Sequence, residues 1–266
     1  RVGVLHLGYG HPATGKTTLF GYLPITKICQ YFIETKGDIP NDIRFVVLDT
    51  DGGFDENRLR IILEHNGLPA KEILDKIYHY LFFSFDEQHE FIISRGKPVI
   101  ERIVENENVV FITLDPATYH YRQQVMAAPR AQRAVVAQDL LGKLDKQLNK
   151  LRKIAFQYGI LVTVTAWTMS EAAPSLLKYS GEIRMPVRDF IGGDQLMFLA
   201  KSIYRIDYIY VPSPDRPGMF EEHPSWRKLV NKKERDVEKG KSCYFKLTTA
   251  GVGEMTSEEL ELITKY

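Results

Sequence analysis

The sequence predicts an α/β protein: a mostly parallel central sheet flanked by helices, with an antiparallel edge built from the C-terminal segments. Three observations carry that expectation. Short apolar runs that close in turn or acidic residues alternate with helical patterns, at Arg44 to Asp49, Ile77 to Phe85, Val109 to Asp115 and Gly159 to Ala166. Two of them, Phe45-Val46-Val47-Leu48 and Ile160-Leu161-Val162-Thr163-Val164, are nearly continuous apolar runs, as in parallel strands covered on both faces. Finally, Gly10-His11-Pro12-Ala13-Thr14-Gly15-Lys16-Thr17 fits the phosphate-loop pattern G-x-x-x-x-G-K-[ST] between a strand pattern and a helix pattern.

In chain order, Val2 to Gly8 reads as a buried strand, and Thr18 to Phe32 as the helix after the loop. Segments Leu68 to Lys76 and Asp86 to Asn106 read as helices on the outside of the sheet. From Ala134 to Tyr158, Leu141, Leu144, Leu148, Leu151 and Ala155 recur at helical spacing, with Gly159 placed to end the helix. The other face of this helix carries Lys143, Lys146, Lys150 and Lys153, which reads as a solvated stripe before it reads as a binding one. After Lys201 the character changes. Ile203 to Val211 and Ser242 to Thr248 alternate as sheet-edge strands, and the Pro-rich, basic stretch from Pro212 to Lys241 reads as their connection.

At 266 residues and 44 % apolar composition, the chain is expected to form one domain over residues 1–266. A net charge of +1 gives no bulk pull toward nucleic acid or an anionic membrane, so an anionic partner has to be met by local basic patches. Arg227, Lys228, Lys232, Lys233, Arg235, Lys239 and Lys241, with Trp226 at their start, form one such tract, and a solvated loop is its plainer reading. Cys29 and Cys243 are the only cysteines, the usage of a reduced compartment. No apolar run approaches the roughly twenty residues of a membrane span, and no charged-then-apolar leader is seen, so a cytoplasmic protein with no membrane partner is expected. Arg1 already lies in a strand pattern, so the natural chain is expected to begin upstream. The seven histidines have no zinc-like spacing.

The loop's chemistry is specific. Its glycines let main-chain amides curl around phosphate oxygens, Lys16 reaches the terminal phosphates, and the Thr17 hydroxyl can ligate Mg²⁺. Gly10, His11, Pro12, Ala13, Thr14, Gly15, Lys16, Thr17 and Thr18 are therefore the expected nucleotide-binding set, with ATP and Mg²⁺ as cofactors. His11 is a variable loop position and as readily a bystander, and His120, between two tyrosines, reads as a packing residue. Asp115 ends the run Phe111-Ile112-Thr113-Leu114, at the strand edge where parallel sheets present ligands. It can complete the Mg²⁺ shell with Thr17, or simply cap the next turn. In Asp49-Thr50-Asp51-Gly52-Gly53, the two acids lie two residues apart on one side of an extended segment. Asp51 reads equally as the general base that orients water and as a turn-forming residue.

The segments Asp49-Thr50-Asp51-Gly52-Gly53-Phe54-Asp55-Glu56-Asn57-Arg58-Leu59, Val110 to Arg122, Leu148 to Ala155, Ile191-Gly192-Gly193 with Leu199 to Ile206, and Phe245 to Val252 stand in an order that resembles one family. That family is the RecA-like strand-exchange ATPases, in particular the archaeal RadA group and its short RadB-like paralogues. The resemblance spans nearly the whole chain. It implies a RecA-like P-loop ATPase core that acts on single-stranded DNA in recombination or repair, with Lys16, Asp51 and Asp115 as catalytic residues and Arg58 stacked on adenine. It also implies DNA contacts from two loops: Val125 to Arg133, with Arg130 and Arg133, and Thr168 to Phe190, with Lys178, Arg184 and Arg188. The second loop also holds Glu171, Glu182 and Asp189, so its charge sums to zero. A recombinase or a further copy of the chain is the protein partner the resemblance suggests.

Three departures from the family pattern matter. Asp51 stands where the family has glutamate, one methylene shorter. Trp167 ends the strand Val162 to Ala166 where the family has a γ-phosphate-sensing glutamine, and an indole donates one hydrogen bond and accepts none. Pro116 replaces a serine and so removes a hydroxyl and an amide. These departures keep a second reading open: a hydrolysis-poor, nucleotide-binding accessory module for a recombinase or another protein, as in RadB-like mediators or KaiC-like regulators.

Overall fold

The computed structural model describes residues 2–168, 199–213, 215, 219–234 and 239–264. Strand β1 (Leu5–Gly10) enters the phosphate loop, and a π-helical turn, Thr18–Tyr22, leads from it into α1 (Leu23–Lys36). Then come β2 (Ile43–Asp49), α2 (Glu56–His65), α3 (Ala70–Leu74), β3 (Ile77–Leu81), α4 (Phe85–Ile93), α5 (Val99–Asn106) and β4 (Asn108–Asp115). Helices α6 (Tyr119–Ala127) and α7 (Arg133–Tyr158) precede β5 (Leu161–Trp167). Strands β6 (Ser202–Pro212), β7 (Phe220–Lys233), β8 (Ser242–Thr248) and β9 (Gly251–Gly253) and helix α8 (Ser257–Thr264) complete the described chain.

All nine strands form one sheet, ordered β3-β2-β4-β5-β1-β6-β7-β8-β9. The first six are mutually parallel, and the antiparallel part begins only at β7. The alternating side chains of central strands serve two cores, because successive residues face opposite sides. Val46 and Leu48 of β2 join Leu5, Leu7 and Tyr9 of β1 and Val162 and Val164 of β5 under α4 to α7. Phe45, Val47 and Phe111 pack on the other face, against Ile25 and Cys29 of α1 and Leu59 and Leu63 of α2. Full burial of each such side chain is worth about 1.5–3 kcal/mol, which is why these runs carry no polar alternation.

The parallel βα alternation stands as expected, with four revisions of detail. Residues 86–106 split into α4 and α5, because Pro98 cannot extend the first helix and instead precedes the second. The helix expected at Leu68 to Lys76 is shortened to α3. The lysine stripe of α7 is partly tied down: Lys150 pairs with Glu101 of α5 at 2.6 Å and Lys143 lies 3.7 Å from Asp86 of α4. The largest revision concerns residues 212–241, read as a connection. Within them, β7 is paired on both sides, to β6 and β8. Trp226 and Val230 are buried, and the charge at Arg227 that disguised the strand is itself buried, for a reason found at the phosphate loop.

Candidate nucleotide site

The loop begins where β1, flanked by β5 and β6, runs out at Gly10. A Cβ on Gly10 would stand 2.6 Å from the Ile206 carbonyl oxygen and 2.8 Å from Thr14 Oγ1, so only glycine allows this close approach. Gly15 has φ 91°, and a side chain there would strike Leu247 at 2.8 Å. Ala13 also takes a left-handed backbone, φ 60°. Internally, Thr14 Oγ1 donates to the His11 carbonyl at 2.9 Å, and Lys16 Nζ donates to the carbonyls of Gly10 (3.2 Å) and His11 (2.6 Å).

Lys16, Asp51 and Asp115 converge on one cleft of about 530 Å³ that is also lined by Thr17, Thr18 and Arg58. Burial pulls the Lys16 ammonium down to about 8, against the opposing pull of Asp115 and Asp51. Asp115 is buried at the end of β4, and burial raises its carboxyl, while hydrogen bonds with the Thr165 and Thr17 hydroxyls and the charge of Lys16 oppose the rise. Asp51 is raised to about 6 by burial, then by Asp115 and Asp49. Asp51 and Asp115 therefore concentrate negative charge around one ammonium, an arrangement that a divalent cation would relieve.

Asp49 has a different job from its neighbour. Its carboxylate accepts from the main-chain amides of Asp51 (3.2 Å), Gly52 (2.9 Å) and Phe54 (3.2 Å), and His79 Nε2 lies 3.2 Å away. It ties the turn that carries Asp51 to the cleft. Burial would raise Asp49, but the His79 hydrogen bond and the three amides hold it below its ordinary value, and the same hydrogen bond holds His79 above its own. Arg58, on α2, lines the cleft while its guanidinium donates to the carbonyls of Thr248 and Thr249 (2.9 Å to the latter), joining α2 to the end of β8. Trp167 also borders the cleft, packed edge-on to Tyr119 with Arg122 over its ring at 5.6 Å. His120 is a packing residue, bonded to the Phe82 carbonyl at 2.9 Å.

The segment Val125 to Arg133 is the end of α6, a short turn and the start of α7. Arg130 is exposed there, whereas Arg133 donates to the carbonyls of Ala128 (3.1 Å) and Met126 (3.0 Å) and so caps α6. Lys178, Arg184 and Arg188 lie outside the described residues. Sequence reasoning missed Thr165, His79, Tyr208 and Arg227. Tyr208 donates to the Pro12 carbonyl at 2.5 Å and Arg227 to that of Ala13 at 3.3 Å, contacts that join strands far along the chain to the loop. No local pattern announces them. Among the described residues no cluster of three or more His, Cys, Asp or Glu side chains suits a bare metal ion, and no helix is long and apolar enough to cross a membrane.

The residues present fit a nucleoside triphosphate with Mg²⁺: a tight loop whose Gly10 and Gly15 leave no room for side chains, a buried ammonium, and a hydroxyl beside a buried carboxylate. The comparisons agree with the fold. The sequence matches the Rad51 family model over residues 3–205. The DNA repair and recombination protein RadB of Thermococcus sibiricus is 26 % identical over 250 residues, 94 % of this chain and 86 % of that protein. RadB of Pyrococcus furiosus is 24 % identical over 257 residues, 97 % of this chain and 89 % of that one. RadA of Ignicoccus hospitalis is 29 % identical over 125 residues, 47 % of this chain and 35 % of its own length. A crystal structure of a RadB recombinase shares the fold with a TM-score of 0.66 at 23 % identity, covering 96 % of this chain and 92 % of that one.

Proposed function

From the premise that this chain belongs to the Rad51 family, and is a RadB-like recombination and repair protein within it, we propose that it is a Mg²⁺-dependent ATP-binding protein that hydrolyses ATP slowly and acts on single-stranded DNA. The convergence of Lys16, Thr17, Asp51 and Asp115 in one cleft carries this reading. In it, loop amides and Lys16 would hold the phosphates, and Thr17 and Asp115 would hold Mg²⁺, which would supply charge neutralisation to the triphosphate. Asp51 accepts the proton of the attacking water, and Lys16 offsets the charge that develops on the transferred group. Arg58 is proposed to face the base, and Arg130 and Arg133 to face DNA phosphates. Lys178, Arg184 and Arg188, assigned by resemblance alone, complete that DNA set.

Slow turnover follows from the short Asp51 side chain, whose carboxyl has to reach a water beyond the γ-phosphate. The same observation favours a second reading, a nucleotide-gated partner of a recombinase or another protein with negligible turnover. Titrating the ATPase rate against single-stranded DNA separates the two. The expected result is slow, Mg²⁺-dependent hydrolysis that DNA stimulates and Lys16→Ala abolishes. ATP binding with no hydrolysis in any condition transfers the case to the gated partner, and ATP binding and hydrolysis untouched by Lys16→Ala overturn the site.

A further inference from the structure

The phosphate loop is gripped from behind by β6 and β7. Arg227 is buried, 4 % exposed, and its guanidinium donates to four main-chain oxygens: Trp226 (2.8 Å), His223 (3.0 Å), Pro224 (3.1 Å) and, across the sheet, Ala13 (3.3 Å). Its Nε has no hydrogen-bond partner, and the carboxylate whose charge acts on the guanidinium is Glu222 of β7. The guanidinium lies over the Tyr208 ring at 4.6 Å, and the Tyr208 hydroxyl donates to the Pro12 carbonyl at 2.5 Å. The two side chains thus act as one clamp on consecutive carbonyls at the loop apex.

Two physical consequences follow. In a trans peptide the carbonyl and the next amide point in opposite directions. Holding the Pro12 and Ala13 carbonyls outward therefore turns the amides of Ala13 and Thr14 toward the inside of the loop, where a phosphate is read. The Thr14 amide makes only a long 3.4 Å contact there, with the His11 carbonyl. Second, a guanidinium stays charged when buried, and neutral carbonyl dipoles offset its lost hydration less well than an anion does. The loop interior, one peptide away, is where an anion would sit.

We propose that Arg227 and Tyr208 are positioning residues for the polyphosphate of a nucleotide: they set the direction of the loop amides, and Arg227 adds an attraction that grows with phosphate charge. Neither side chain lines the cleft, so both act through the loop rather than by touch. The proposal rests on the nucleotide reading of the cleft. Its test is calorimetric titration of ATP, ADP and AMP, each with Mg²⁺, into the wild type, Arg227→Gln, Arg227→Lys and Tyr208→Phe.

For Arg227→Gln the expected loss of affinity is about tenfold for ATP, smaller for ADP and smallest for AMP, and Arg227→Lys restores that grading in part. Tyr208→Phe keeps the ring and its stack, and is expected to weaken ATP and ADP by roughly threefold to tenfold with an unchanged melting temperature. An equal loss for all three nucleotides, or a loss that tracks melting temperature, would reduce Arg227 to a packing residue and overturn the proposal. Should Arg227→Gln fail to fold, Tyr208→Phe decides alone, and wild-type affinity in it overturns the clamp. Wild-type protein that binds no ATP removes the nucleotide reading itself, whereas wild-type binding matched by every variant removes only the clamp.

Discussion

Replacing Asp49 by alanine should destabilise the fold by about 3 kcal/mol and detach Asp51 from the cleft. The carboxylate, 1 % exposed, holds three main-chain amides and His79. The Asp51 and Gly52 amides belong to exposed residues and can be taken over by water, whereas the amide of buried Phe54 cannot. One stranded amide costs about 1–3 kcal/mol, and losing the half-buried His79 pair adds roughly 1 kcal/mol. Urea denaturation with a shared m-value measures the difference. Its pH dependence has a definite sign. Asp49 is held below its ordinary 3.8, so its share is present above that value and lost as pH falls through the lower folded one. His79 is held above its ordinary 6.5, so its share is present below 6.5 and lost as pH rises through the higher folded value. The gap between wild type and variant should therefore be widest between 3.8 and 6.5 and shrink on the alkaline side. A loss below about 1 kcal/mol, or a gap independent of pH, would refute the idea that this carboxylate fastens the turn.

ATP turnover should follow a bell-shaped pH profile: kcat/KM rises as Asp51 ionises through about 6 and falls as Lys16 loses its proton through about 8. A flat profile from pH 5 to pH 9 would remove both residues from the chemistry. Gly10→Ala should abolish ATP binding, since its methyl would meet the Ile206 carbonyl at 2.6 Å in the middle of the sheet; retained affinity would show that the loop relaxes elsewhere. Arg130→Glu should weaken single-stranded DNA binding and flatten its salt dependence at unchanged stability. Arg133→Glu should also loosen the end of α6, because that guanidinium caps the helix. DNA affinity unchanged by the Arg130 substitution would remove this segment from the interface.

The nucleotide half of the protein was legible because its signals are local. A strand, a glycine-rich loop and a helix follow one another within residues 5–36, and Asp115 announces itself by closing an apolar run. Asp49 was harder. Its spacing from Asp51 suggested two acids on one side, and only the folded turn reveals one as a tether and the other as a cleft residue. The strand β7 escaped notice because proline and positive charge are poor strand signals, and they are tolerated here by pairings the local sequence does not display. Arg227 looked like part of a solvated basic tract. Its partner on the loop lies 214 positions away, and no periodicity encodes a contact of that reach.

The sheet order gives the phosphate loop an unusual dependence on time. Gly10 to Thr17 leaves the ribosome among the first residues of the described chain, yet the bonds from Tyr208, Arg227 and Arg58 that frame the site bridge separations of 190 to 214 positions. A nascent chain halted before β6 would carry the whole binding motif without the strands that brace it. The loop therefore gains its full bracing only once its last strands have joined the sheet.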